Sequence, residues 1–201
     1  MGDFSQNGII SNLHDFGTKT AADIEKELVK FSKERKMELI LPSLYSELKG
    51  DALPNIVKQI GETKYLNHII VGLDKASKAE AIQAWKFFKK LNTPFTILWN
   101  DGPRLKKLHE ELKEKDLAPS EMGKGRNVWY CLGMCIARDE ARSVALHDCD
   151  IKTYDRRMLA KLFYPVVNPF FNFEFCKGYY PRIANGKMNG RVARLLVFPL
   201  L

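Results

Sequence analysis

The sequence predicts an α/β protein, a mostly parallel sheet with helices on both faces, preceded by an N-terminal helix. Three observations carry this. Short apolar runs recur along the chain, as expected of strands buried on two sides. Segments with apolar residues at helical spacing separate them. The runs end in polar residues, Ser43, Asp74, Asn100-Asp101 and Asp148 to Asp150. Open parallel sheets bind ligands at that edge, outside the carboxyl ends of their strands.

Each element has its own signal. Ile24, Leu28 and Phe31 recur at spacings of four and three, which predicts a helix from Thr20 to about Lys36. Met37 to Leu41 reads as a first strand, ended by Pro42-Ser43. Leu53, Ile56, Val57 and Ile60 share one face of a helix over 52–60. His68 to Leu73 is a β-branched, apolar second strand closed by Asp74. A helix from Lys78 to Leu91 leads to a third strand, Phe95 to Trp99. A further helix covers Arg104 to Lys115. Pro119 to Gly125 reads as a loop, and Val128, Cys131, Leu132, Cys135 and Ile136 stripe a helix from Arg126 to Arg138. Ser143 to His147 is the fourth strand. A helix over 156–163 precedes a Pro-broken connection, and Phe171 to Cys176 is expected as a fifth strand. Residues 1–36 are read as a tail and helix, and 37–201 as one ligand-binding domain.

Composition narrows the class. The chain has 201 residues, 45% hydrophobic and 28% charged, enough for one domain with a sizeable core. No apolar run approaches the roughly 20 residues that span a bilayer. Met1 to Gln6 carries neither a charged n-region nor an apolar h-region, so cytoplasmic residence is expected. Cys131, Cys135, Cys149 and Cys176 lack zinc-type spacing and are read as reduced. The net charge of +8 is mostly spread over mixed-charge helices. After Glu174, however, Lys177, Arg182, Lys187, Arg191 and Arg194 follow with no acid, a local imbalance suited to an anion. Aromatic residues Phe175, Tyr179 and Tyr180 interleave with them. No nucleic-acid-binding motif accompanies that pattern, so nucleic acid is not expected as a partner. The apolar end, Leu195 to Leu201, is expected to be buried or to continue into a further C-terminal part.

The chemistry-bearing motif is Asp148-Cys149-Asp150. Two carboxylates one residue apart on an extended chain point the same way. Together they can share a hard divalent cation with phosphate oxygens. A solvated turn ending the strand is the alternative reading of these residues. Gly123-Lys124-Gly125 opens a helix, where glycines allow close backbone approach and the helix N-terminus favours anions. It is not a Walker A loop. Asp74 is either a turn or capping residue or an acceptor for a base or ribose. Alternation turns His147 toward the core.

Strand into Pro42-Ser43-Leu44, strand into Asp74, Gly123-Lys124-Gly125 before a helix, and strand into Asp148-Cys149-Asp150 together resemble a GT-A-fold (Rossmann-like) glycosyltransferase. Cys176-Lys177-Gly178-Tyr179-Tyr180-Pro181-Arg182 and Gly190-Arg191-Val192, running into Pro199-Leu200-Leu201, resemble the glucosyl-3-phosphoglycerate synthases and their mannosyl relatives. The resemblance covers about residues 37–201. It implies a retaining transferase that moves a hexose from a UDP- or GDP-linked sugar to 3-phosphoglycerate or a similar small acidic acceptor, with Mg2+ or Mn2+. It implies that Pro42, Ser43, Leu44, Asp74, Lys124, Asp148 and Cys149 hold the nucleotide-sugar. Asp150 would bind the metal, and Lys124 and Asp150 would be catalytic. Gly190 and Arg191 would grip the acceptor, since Arg offers a bidentate fork to phosphate. A homodimer is compatible with it. Three departures stand out. Glu47 lies one place beyond the family's acid, Ala193 replaces a common Thr, and family members continue well past Leu201. A binding fragment without turnover, or a transferase with another acceptor, are the competing readings.

Overall fold

The computed structural model describes Phe16 and residues 19–171, 173–178, 182–184 and 187–189, the last two stretches as backbone. Four parallel strands form the central sheet in the order β3-β2-β1-β4: β1 Met37–Leu44, β2 His68–Asp74, β3 Phe95–Trp99 and β4 Ser143–Leu146. The helices are α1 Ala21–Phe31, α2 Ala52–Gly61, α3 Lys78–Phe88, α4 Pro103–Lys113, α5 Lys124–Arg138 and α6 Arg156–Val167. A 3-10 turn, Tyr45–Lys49, follows β1 directly. The expected α/β architecture is therefore present.

The central strands β1 and β2 are buried almost throughout, which explains their continuous apolar sequence. Side chains alternate between two cores. Leu39, Leu41, Ile69 and Val71 face the larger one, shared with Ile24 and Leu28 of α1, the apolar stripe of α2, and Leu159, Phe163 and Tyr164 of α6. Ile40 and Ile70 face the opposite way, onto Cys131 and Cys135 of α5. Capping boxes open two helices, Thr20 with Asp23 on α1 and Ser77 with Glu80 on α3.

Three expectations are corrected. The first strand does not stop at Pro42 but runs to Leu44. The Ile40 carbonyl accepts from His147 N–H on the β4 side. Pro42 lies two residues on and so faces that same side, where pairing with β4 has already ended. Its missing N–H thus costs no ladder bond. Pro165 lies inside the last turn of α6 rather than in a connection. Among the described residues of 171–176 no strand forms, against the expectation of a fifth strand there. The Phe170 N–H donates to Asn168 Oδ1 at 2.9 Å and the Phe171 N–H to the Asn168 carbonyl at 3.1 Å, which makes a turn. The strands that follow are instead β5 Arg182–Ala184 and β6 Lys187–Asn189, an antiparallel pair in a sheet of their own.

Two contacts set α5 on the sheet. Asn127 Nδ2 donates to the Gly72 carbonyl at 2.8 Å. Toward its other end, Arg138 Nε meets the buried Glu38 carboxylate at 3.1 Å. The helix therefore runs opposite to the strands, from their carboxyl edge to their amino edge. A Cβ on Gly72 would lie 1.8 Å from Asn127 Oδ1 and 2.6 Å from Cys131 Sγ. Gly72→Ala is expected to destabilise the chain by about 1–3 kcal/mol, by forcing α5 off the sheet. Urea unfolding followed by circular dichroism measures this, and an unchanged midpoint would mean that α5 adjusts without cost.

Candidate functional site

The parallel strands bring their carboxyl ends to one edge. Leu44 is in register with Asp74, and Leu73 with Trp99. On the other side Ile40 pairs with Leu146, which sets Asp148 level with Pro42. Pro42, Ser43, Leu44, Asp74, Asn100 and Asp148 to Asp150 thus line the same rim.

Beyond β4 the chain keeps its alternation. His147 and Cys149 are buried, while Asp148 and Asp150 are exposed. The two carboxylates therefore emerge on the same side. Asp148 forms an ion pair with Lys124, the first residue of α5. Asp150 makes no ion pair or hydrogen bond among the described residues. Its carboxylate is free to bind a cation, and Mg2+-type ions need only one or two protein carboxylates when phosphate and water complete the shell. Among the described residues, no three His, Cys, Asp or Glu side chains gather into a ready-made cage. The donor set fits a cation shared with a ligand rather than one held by protein alone.

Gly123 precedes Lys124 with φ of 135°, a conformation that favours glycine. That turn swings Lys124 to the rim. A Cβ on Gly125 would meet nothing within 4 Å, so packing inside the chain does not call for glycine there. The helix begins at Lys124, two residues earlier than its apolar stripe suggests, because the stripe marks only the buried face.

The buried members of the set contribute differently. Ser43 is 1% exposed, and its hydroxyl donates to the Leu44 carbonyl at 3.1 Å. Cys149 is 2% exposed and bonded to Ser43, and burial raises its thiol pKa. Both side chains face inward, which leaves backbone at the rim. Burial also pushes Cys131 and Cys135 up to about 12, so both are protonated at neutral pH. Glu47 accepts from the Leu44 N–H at 2.9 Å and lies near Cys149. The displaced acid is therefore committed to closing the turn after β1. Gly190 and Arg191 lie outside the described residues, as does Arg194, and Lys177 is exposed.

Asp74 and Asn100, both named at strand ends by sequence reasoning, were not read there as a pair. Asp74 and Asn100 are 4% and 6% exposed, yet Asp74 Oδ1 and both amide atoms of Asn100 have no hydrogen-bond partner among the described residues. The strand-end position of Asn100 was the one available signal.

No family model matches the chain. Over 201 residues, all of this chain, it is 44% identical to the glucosyl-3-phosphoglycerate synthase of Persephonella marina, covering 50% of that protein. It is 37% identical to the enzyme of the same name from Methanococcoides burtonii, over 99% of this chain and 49% of that one. The chain resembles glucosyl-3-phosphoglycerate synthases along its whole length. It spans about half the length of these curated relatives. A crystal structure of glucosyl-3-phosphoglycerate synthase from Mycobacterium tuberculosis, with Mn2+, uridine diphosphate and glucosyl-3-phosphoglycerate, superposes with a TM-score of 0.49 at 17% identity. That match covers 78% of this chain and 47% of the other. Among the described residues, no helix is long and apolar enough to cross a membrane.

Two predictions follow from the geometry. The Lys124–Asp148 pair is more than half exposed on the lysine side, and exposed pairs add little stability. Lys124→Met is expected to leave Tm unchanged within about 2 °C in calorimetry. A larger fall would give Lys124 a structural task. His147 packs edge-on against Tyr154 with ring centroids 5.3 Å apart, and burial pushes its pKa down from 6.5 to about 4. The neighbouring Asp148 carboxylate opposes that shift, but burial outweighs it. Above pH 6.5 the histidine is neutral folded or unfolded. Between 6.5 and 4 only the unfolded chain takes the proton, so stability falls as pH falls, and the loss saturates below 4. The cost is about 3 kcal/mol. His147→Gln should remove that part of the pH dependence, measured by urea unfolding at pH 7, 5.5 and 4. Parallel curves for the two proteins would overturn it.

Proposed function

We propose that this chain forms the nucleotide-sugar side of a metal-dependent retaining hexosyltransferase of the glucosyl-3-phosphoglycerate synthase kind. The observation that carries this is the 44% identity across the whole chain to a protein of that name, on a sheet whose rim presents Lys124, Asp148 and Asp150 together. The donor is a UDP- or GDP-linked hexose. The acceptor is 3-phosphoglycerate or a similar small phosphorylated acid. The protein works in the cytoplasm, a reducing compartment suited to its four free cysteines.

Each residue has a role in this reading. Pro42, Ser43 and Leu44 line the nucleotide site with backbone, because Ser43 points inward. Asp74 meets the base or ribose. Lys124 trades its exposed partner Asp148 for the donor diphosphate, and steadies the charge that develops as the diphosphate leaves. Asp150, with Asp148 beside it, would hold Mg2+ or Mn2+. Bound there, the cation would supply charge neutralisation at the leaving group. Gly190 and Arg191 remain the proposed acceptor contacts, in the basic, acid-free stretch after Glu174.

The test uses the 201-residue chain and a version extended to the relatives' length. Each is incubated with UDP- or GDP-glucose, 3-phosphoglycerate and Mg2+, and released nucleoside diphosphate is measured. Release is expected to need the metal and to fall by about 10²-fold or more in Asp150→Ala. Release that survives chelation, or that Asp150→Ala leaves intact, would overturn the proposal. Nucleotide binding without turnover by the short chain would assign it the donor site alone.

A further inference from the structure

Asp74 and Asn100 sit side by side. Leu73 and Trp99 are the last paired rung of β2 and β3, and Asn100 N–H donates to the Leu73 carbonyl at 2.9 Å, continuing the ladder one step. Both side chains fall on the α5-facing side. Ile70, Gly72 and Asp74 alternate there, and Leu98, two residues before Asn100, packs into the same cluster as Ile70. They lie beneath the N-terminal turn of α5, at the rim.

The loops around them are already satisfied. Ala76 N–H donates to Asp101 Oδ2 at 2.9 Å, and Trp99 Nε1 donates to the Ala76 carbonyl at 2.8 Å. Holding those loops therefore does not use the Asn100 side chain. Yet Asp74 Oδ1, Asn100 Oδ1 and Asn100 Nδ2 are buried and without a partner among the described residues. Buried polar atoms nearly always have one. An acceptor beside an amide, both at a ligand-binding rim, calls for a ligand edge with a donor beside an acceptor.

We propose that Asn100 is a specificity-determining residue that, with Asp74, reads the edge of the donor's nucleobase. Asp74 accepts from a ring N–H, and Asn100 Nδ2 donates to the carbonyl next to it. Uracil and guanine both present that pair of groups. Adenine and cytosine present a bare ring nitrogen where the N–H would be, and Asp74 repels it. The inference rests on the nucleotide-sugar reading and adds to it the residue that selects the base.

Isothermal titration calorimetry of the full chain with UDP, GDP, CDP and ADP, in Mg2+, tests this. The wild-type chain is expected to bind UDP or GDP at least about tenfold tighter than CDP and ADP. Asn100→Leu removes both amide groups at similar size, and Asn100→Asp replaces only the donor. Both should weaken the preferred nucleotide by about tenfold or more and leave CDP and ADP within about twofold. Tm should not fall in Asn100→Leu, since no intramolecular bond is lost. Equal losses for all four nucleotides, or no loss, would overturn the role of Asn100. So would a wild-type chain that binds nucleotides without preference, while leaving the transferase reading intact. A wild-type chain that binds none of the four would bring down both. If Asn100→Leu fails to fold, Asn100→Asp alone decides.

Discussion

Helix α5 meets the sheet through the Asn127 side chain, which donates to the Gly72 carbonyl at 2.8 Å. That distance exists because residue 72 has no side chain. The contact fixes the height and the axial position of the helix together. Its first residue, Lys124, consequently stands at the rim beside Asp148, and its far end brings Arg138 onto the buried Glu38. A buried carboxylate without its cation would be costly, so the two ends hold α5 in one register. Lys124, Asp148 and the Asp74–Asn100 pair all owe their relative placement to that seating.

A second constraint comes from strand alternation carried past the strand's end. β4 stops at Leu146, yet His147 and Cys149 stay buried and Asp148 and Asp150 exposed. The extended chain continues because its inward side chains are packed, His147 against Tyr154 and Cys149 against Ser43. The acids are thus aimed by their apolar neighbours. The same burial that keeps His147 neutral keeps the carboxylate pair on one side.

Much of this was legible in the sequence, for a physical reason. β1 and β2 are buried on both faces and so had to be apolar throughout, and α2 and α5 face cores and so carry stripes. The misreadings share a cause too. Phe171, Phe173 and Phe175 alternate like a strand, but a strand needs a partner, and alternation does not record one. Phe175 is 80% exposed, while the Asn168 turn takes up the backbone. Pro42 looked like a terminator because the sequence does not say on which side β4 ends. Asp148 and Asp150 were legible as a pair, since period-two alternation survives any register. Asn100 was legible as a polar strand end, but its unpartnered amide was not, and Gly72 was not singled out. Their importance lies in what approaches them, an Asn127 side chain in one case and no partner among the described residues in the other.

The balance of charge at the rim bears on the cation. Lys124 meets one carboxylate, Asp148, while Asp150 emerges beside it without a partner among the described residues, and Glu47 lies close behind on the turn after β1. These four side chains together are therefore net negative before any ligand arrives. A diphosphate brought there alone would add charge of the same sign within a few ångströms, and even at an effective dielectric of about 20 each such contact costs on the order of a few kcal/mol. Lys124 can turn from Asp148 to the diphosphate, but doing so uncovers Asp148 and leaves the total unchanged. These four side chains cannot balance a diphosphate by rearrangement among themselves. A divalent cation held by Asp150 would correct the balance with one ion. It would also give the exposed, unpaired Asp150 a partner. On the proposed reading, the cation and the nucleotide-sugar enter as a unit, and Lys124 is released from Asp148 as they do.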